Sequence, residues 1–122
     1  MLSKATPILP AEDMARAKAF WTQKVGLSLM QESDMWATLQ LPDGSMIGMY
    51  PHERTRATHT AFGLQVDDLE KEMAELKSRG VVFEEYDQPG LKTVNGVAEA
   101  DGMKSAWFVD SEGNTIGLAQ FS

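Results

Sequence analysis

Along this chain the spacing of apolar positions switches between about two and about 3.6 residues, and it does so twice. Residues 4–9 alternate as a short strand, which Pro10 is expected to end. Over 12–24, Met14, Ala17 and Trp21 fall on one helical face. Glu12 and Asp13 stand at the first turn, where the helix dipole favours acids, and Gly26 follows as a left-handed C-cap. Strands are expected near 27–32, 35–41 and 45–51, with Pro42-Asp43-Gly44 turning the last two into a hairpin.

The second half repeats that order. Thr60, Phe62, Leu64 and Val66 share one face of a strand over 59–66. Asp67 is placed to cap a helix over 68–78, with Glu70 completing a capping box. Leu69, Met73 and Leu76 form its apolar stripe, and Gly80 ends it. Strands near 81–86, 103–109 and 114–120 follow. Each half reads strand–helix–strand–strand–strand, with a period of about 55–60 residues, too few copies for an array. The expectation is one α+β domain over residues 1–122, built from modules at about 1–54 and 59–122 and linked through 55–58. The long connection, 87–102, carries three turn signals, and loops of that length are usually functional or mobile.

Three segments resemble one family. Phe20-Trp21-Thr22-Gln23-Lys24-Val25-Gly26-Leu27 resembles the "FY-x-x-x-LGL" signature of the vicinal oxygen chelate superfamily of glyoxalases, extradiol dioxygenases and bleomycin-resistance proteins. Val66-Asp67-Asp68-Leu69 with Leu76-Lys77-Ser78-Arg79-Gly80-Val81 resembles its "VDDL…L-x-x-x-G" segment. Trp107-Phe108-Val109-Asp110-Ser111-Glu112-Gly113-Asn114 resembles its "F-x-DPDGN" hairpin, with Ser111 where proline is usual. The resemblance spans essentially the whole chain. It implies paired βαβββ modules whose curved mixed sheets surround a cleft, commonly in homodimers. It also implies four metal-ligand positions, two on the first strands and two on the last strands of the modules. Here these hold Thr6, Gly48, Ala61 and Gly117, of which three have no ligating side chain. The two glycines either clear the cleft floor for a ligand or mark a bulge or close strand packing.

Composition narrows the chemistry. The chain has no cysteine, which excludes disulfides, iron–sulfur centres, Cys-ligated zinc and a thiol nucleophile. His52 and His59 are the only imidazoles. Eighteen acidic against eleven basic residues leave a net charge of −7, which argues against nucleic acid and anionic membranes and favours cationic partners. No apolar run approaches the ~18 residues of a membrane span, no signal-peptide pattern opens the chain, and the cytoplasm is the expected location.

The candidate ligand-binding residues follow. Trp36, Tyr50, Trp107 and Phe108 are placed either in the core or on cleft walls that bind flat or cationic molecules. Met46 offers an adaptable apolar lining, and Lys92 in the long connection can orient a polar group. Trp21 belongs to the core. Adjacent Glu84 and Glu85 point to opposite faces of a strand and cannot act as a carboxylate pair. Glu99 and His59 are the weak catalytic candidates, the latter otherwise a strand-end histidine. The expected function is metal-free and cofactor-free binding of a small organic molecule, cationic or aromatic, as in the bleomycin-resistance branch. The alternatives are a glyoxalase-like lyase, isomerase or dioxygenase, and an interaction module with a vestigial cleft.

Overall fold

The computed structural model describes residues 1–55 and 58–121, so part of the expected 55–58 linker lies outside the described residues. Two four-stranded mixed sheets carry the architecture. The first comprises β1 (Ile8–Ala11), β2 (Ser28–Ser33), β3 (Trp36–Gln40) and β4 (Met46–Pro51), in the order β1-β4-β3-β2. In the second half come β5 (Thr60–Gln65), a small hairpin of β6 (Asp87–Gln88) and β7 (Leu91–Lys92), then β8 (Ala98–Ala100), β9 (Met103–Val109) and β10 (Thr115–Phe121). The second sheet has the order β5-β10-β9-β8, the same permutation as the first. Helices α1 (Met14–Ala19) and α2 (Leu69–Ser78) connect the outer parallel strand of each sheet to the rest.

Several elements depart from what periodicity suggests. β1 runs through Pro10 instead of stopping there. It is an edge strand, and its carbonyls at Pro7 and Ala11 accept from Gly48 and His52 on β4. Pro10 faces the free edge, where a missing N–H costs no ladder bond. The first helix is α-helical only to Ala19 and continues over Phe20–Val25 in wider π turns, so that the Trp21 carbonyl receives both Gly26 and Leu27 N–H. Asp13 is its N-cap, accepting from Arg16 N–H. Asp68, not Asp67, caps α2. That one-residue slip leaves Glu70 outside a capping box and paired with Lys104 on β9.

The expected strand over 81–86 is reduced to a bridge between Phe83 and Phe108, followed by a bond from Glu84 N–H to the Trp107 carbonyl. The edge position beside β9 is therefore split between that bridge and β8. The long connection is ordered by Glu85, whose carboxylate accepts from the Thr93 hydroxyl at 2.6 Å and Gly96 N–H at 2.7 Å. Those two bonds hold its carboxyl below the usual range.

The two modules share one core. Trp21 from the first is fully buried against Phe62 and Phe108 of the second, with ring centroids 6.3 and 6.1 Å apart. The hairpin Asp110–Asn114 closes the same junction with polar groups. Asp110 Oδ1 accepts from Glu112 and Asn114 N–H, while Oδ2 accepts from Trp21 Nε1 and Asn114 Nδ2. Asn114 Nδ2 also donates to the Pro10 carbonyl on the free edge of β1. Glu112 receives Asp13 N–H at 2.8 Å and the Arg16 guanidinium at 2.8 and 3.0 Å. The Ser111 hydroxyl, in place of the usual proline, adds a fourth bond to Glu112. Among the described residues no buried side-chain nitrogen or oxygen lacks a partner.

Burial by itself would push the Glu112 carboxyl up, but Arg16, the Asp13 N–H and Ser111 outweigh it and hold it at about 2. A carboxyl depressed in the folded state contributes stability that is complete above its ordinary value of 4.5 and is lost as pH falls toward about 2. Denaturant unfolding at a series of pH values should therefore show a decline below about pH 4.5 that Glu112→Gln flattens. An unchanged acid limb in that variant would remove Glu112 from this role.

Candidate functional site

Alternation along each strand divides the sheets into a covered and an uncovered face. In the first sheet, Leu9, Ala37, Leu39, Ile47 and Met49 enter the core. The intervening residues, Ile8, Trp36, Thr38, Met46, Gly48 and Tyr50, form the other face, which register places side by side. In the second sheet, Phe62, Ala106, Phe108, Ile116 and Leu118 pack inward, and Gly63, Trp107 and Gly117 stand together on the outer face. Because both inward faces join the same core through the helices, both uncovered faces point outward. Their strand positions carry no charged side chain.

Each uncovered face sets a tryptophan against a glycine, but in different registers: Thr38 is opposite Gly48, with Trp36 two residues along, whereas Trp107 is directly opposite Gly117. A Cβ built on Gly48 would overlap the six-membered ring of Trp36, which lies directly over it. On the other sheet a Cβ at Gly117 would come within 3.4 Å of Trp107 Nε1 and of Thr60 Cγ2. At Gly48 the space is taken by the indole of the neighbouring strand, and close packing explains that glycine; at Gly117 the indole of Trp107 lies at ordinary contact distance. Trp36 is fixed by its Nε1 bond to Thr38 Oγ1 at 2.7 Å. Trp107 is met edge-on by Tyr86, with centroids 5.5 Å apart. Tyr86 belongs to no motif, and only its place in space beside Trp107 singles it out. Burial, then the nearby Glu84 carboxylate, raises the Tyr86 hydroxyl above its ordinary pKa.

Of the remaining candidates, Tyr50 and Met46 share the Trp36 face and the others scatter. Tyr50 is edge-on to His52, and Met46 lies exposed beside Gly48 on β4. Thr6 is exposed and precedes β1. Ala61 is exposed at a bulge where the β5–β10 register slips, and His59 is exposed just before β5. Phe108 does not reach an uncovered face: it is fully buried between Phe20, Trp21 and Phe83, because it falls on the inward phase of β9. Lys92 and Glu99 lie on a different surface, a cleft of about 620 Å³ between α2 and the long connection, with Met73 and Val97. Glu99 is opposite Lys104 on β8–β9, the phase that faces α2. A second cleft, of about 590 Å³, separates the modules on the helix side.

A family model described as the Glyoxalase/Bleomycin resistance protein/Dioxygenase superfamily matches residues 5–118. The chain belongs to this superfamily. No curated protein matches it by sequence. Among solved structures, it is similar to the antibiotic binding protein TnmS3 from Streptomyces sp. CB03234, at 24% identity and TM-score 0.68 over 100% of this chain and 99% of that one. A glyoxylase/bleomycin resistance protein/dioxygenase domain from Frankia sp. EAN1pec aligns at 14% identity and TM-score 0.74, over 100% and 99% of the two chains. The fosfomycin resistance protein FosX from Listeria monocytogenes, a complex with Mn(II) and 1S,2S-dihydroxypropylphosphonic acid, aligns at 16% identity and TM-score 0.71, over 100% and 93%. At these identities the likeness establishes the fold.

The positions that the resemblance assigns to the superfamily's metal are poor in donors. Thr6, Gly48, Ala61 and Gly117 offer one hydroxyl between them, and two of the four positions are overlain by indoles. Among the described residues no three His, Asp or Glu side chains converge anywhere. This donor set does not fit a divalent metal at the superfamily's site.

The glycine–indole contact makes a specific prediction. Gly48→Ala should destabilise the protein by about 1–3 kcal/mol through overpacking, whereas Gly117→Ala, whose Cβ would meet its nearest neighbours only at 3.4 Å, should cost under about 1.5 kcal/mol. Adding Trp36→Ala to Gly48→Ala should cost less than the two single changes summed, by denaturant unfolding. Strict additivity would show that the ring does not hold the glycine.

Proposed function

We propose that this superfamily member binds a small, flat organic molecule on its tryptophan-floored sheet faces, without a metal, as a cytoplasmic homodimer. The observation that carries the reading is the pair of uncharged faces, each with an indole set against a glycine of the neighbouring strand. Aromatic floors of this kind stack planar ligands, and Tyr50, Met46 and Tyr86 supply adaptable apolar contacts beside them. Exposed Ile8, Met30, Met46 and Phe121 on or near these faces are what a second copy would cover, so that each face becomes one wall of a closed site. The same fold serves an antibiotic binding protein, TnmS3, which lends the reading an analogy. Catalysis by Glu99 gains no support, since it lines the cleft beside α2 instead.

Intrinsic fluorescence titration with a panel of fused-ring antibiotics and aromatic metabolites tests this. Quenching is expected for at least one compound, with affinity falling about tenfold, ~1.4 kcal/mol, in Trp36→Ala or Trp107→Ala. Sedimentation should report a dimer, and elemental analysis of protein purified without chelators should find no stoichiometric metal. Stoichiometric manganese, iron, nickel or zinc, or binding indifferent to both tryptophan substitutions, would overturn the reading.

A further inference from the structure

We infer that the groove between the two modules is a second binding site, for an organic cation with an apolar body. The groove lies where the π-helical turn ends, between the β3–β4 turn and the start of α2, and encloses about 590 Å³. That volume falls within the ~300–1,000 Å³ of small-molecule sites. Its floor is half-buried Val25, Leu27, Leu41, Leu64 and Val66, drawn from both modules. Its rim carries five carboxylates, Asp43, Asp67, Asp68, Glu72 and Glu75, against the single ammonium of Lys71.

Two of those acids are already used. Asp68 accepts the N–H of Lys71 as the cap of α2, and Asp43 accepts from Ser45 in its turn. Glu72 and Glu75 are different. One turn apart on α2, they have no ion-pair partner within 4 Å among the described residues, and the nearby Arg79 guanidinium is bound to the Lys24 and Val25 carbonyls. Burial, then repulsion from Glu75, raises the Glu72 carboxyl above its usual range, against the opposing pull of Arg79 and Lys71. Excess negative charge over an apolar floor is complementary to a ligand that is greasy at one end and protonated at the other. A bare metal ion is not, because the carboxylates ring the groove without converging. The inference is independent of the sheet-face reading: it concerns the helix side of the molecule and uses none of the same residues.

The experiment is an amide and indole NMR titration of the intact protein with 4-phenylbutylammonium and, separately, with uncharged 4-phenylbutanol. The ammonium should shift the amides of Leu27, Leu41, Leu64 and Val66, leave the indoles of Trp36 and Trp107 in place, and bind at least about fivefold more tightly than the alcohol. Glu72→Gln combined with Glu75→Gln should weaken it about tenfold, as should raising the salt concentration. Both positions lie on the groove rim, so the double variant is expected to fold, and its unshifted core amides check that. Equal affinity for the alcohol, or an unchanged affinity in the double variant, would overturn the proposal. Movement confined to the indoles would overturn it too, while leaving the sheet-face reading standing.

Discussion

Asp110 sits at the point where the two halves of this protein meet, and its carboxylate is saturated. One oxygen closes its own hairpin through two backbone N–H groups, and the other takes the buried indole of Trp21 and the amide of Asn114. Four donors converge on this one side chain, and their bonds fix each of them in place. Through Trp21 it sets how the first helix lies on the second sheet. Through Asn114 it reaches the outer edge of β1, and Glu112 beside it grips the start of α1. Everything that faces outward, including both indole-floored sheets, inherits its placement from this junction.

The repeat of strand, helix and strands could be read from the chain because apolar phase and turn chemistry agreed at most positions. The paired stripes of Met14, Ala17 and Trp21 and of Leu69, Met73 and Leu76 face inward as their spacing requires. Boundaries failed where a long-range partner decided the matter. Pro10 is a strand residue only because its amide side meets no neighbour, and nothing local states that β1 is an edge. The 81–86 segment has strand-like alternation, yet Glu85 spends its hydrogen-bonding capacity on Thr93 and Gly96, and the edge of the sheet passes to β8.

Much less of the candidate site was legible. Trp36 and Trp107 stand out by residue type and each lies on an uncovered face, though two residues apart in register, but Phe108, adjacent to Trp107, is inward by the same alternation that turns Trp107 out. Which phase of β9 is covered depends on where the helices lie, and that is a property of the whole fold. The net charge was equally ambiguous. It is absent from the strand positions of the aromatic faces and dense around the inter-module groove, a partition that a sum over residues cannot express.

The contact between Gly48 and Trp36 also constrains how this protein can change. A glutamate at position 48 would place an acidic side chain on this face, but its first carbon already has no room under the indole. The ring would have to leave first, and its departure removes the floor of the face before any replacement chemistry exists. Neither step alone yields a working site of either kind. The glycine and the tryptophan are locked to each other, so a side chain at position 48 requires two coordinated substitutions.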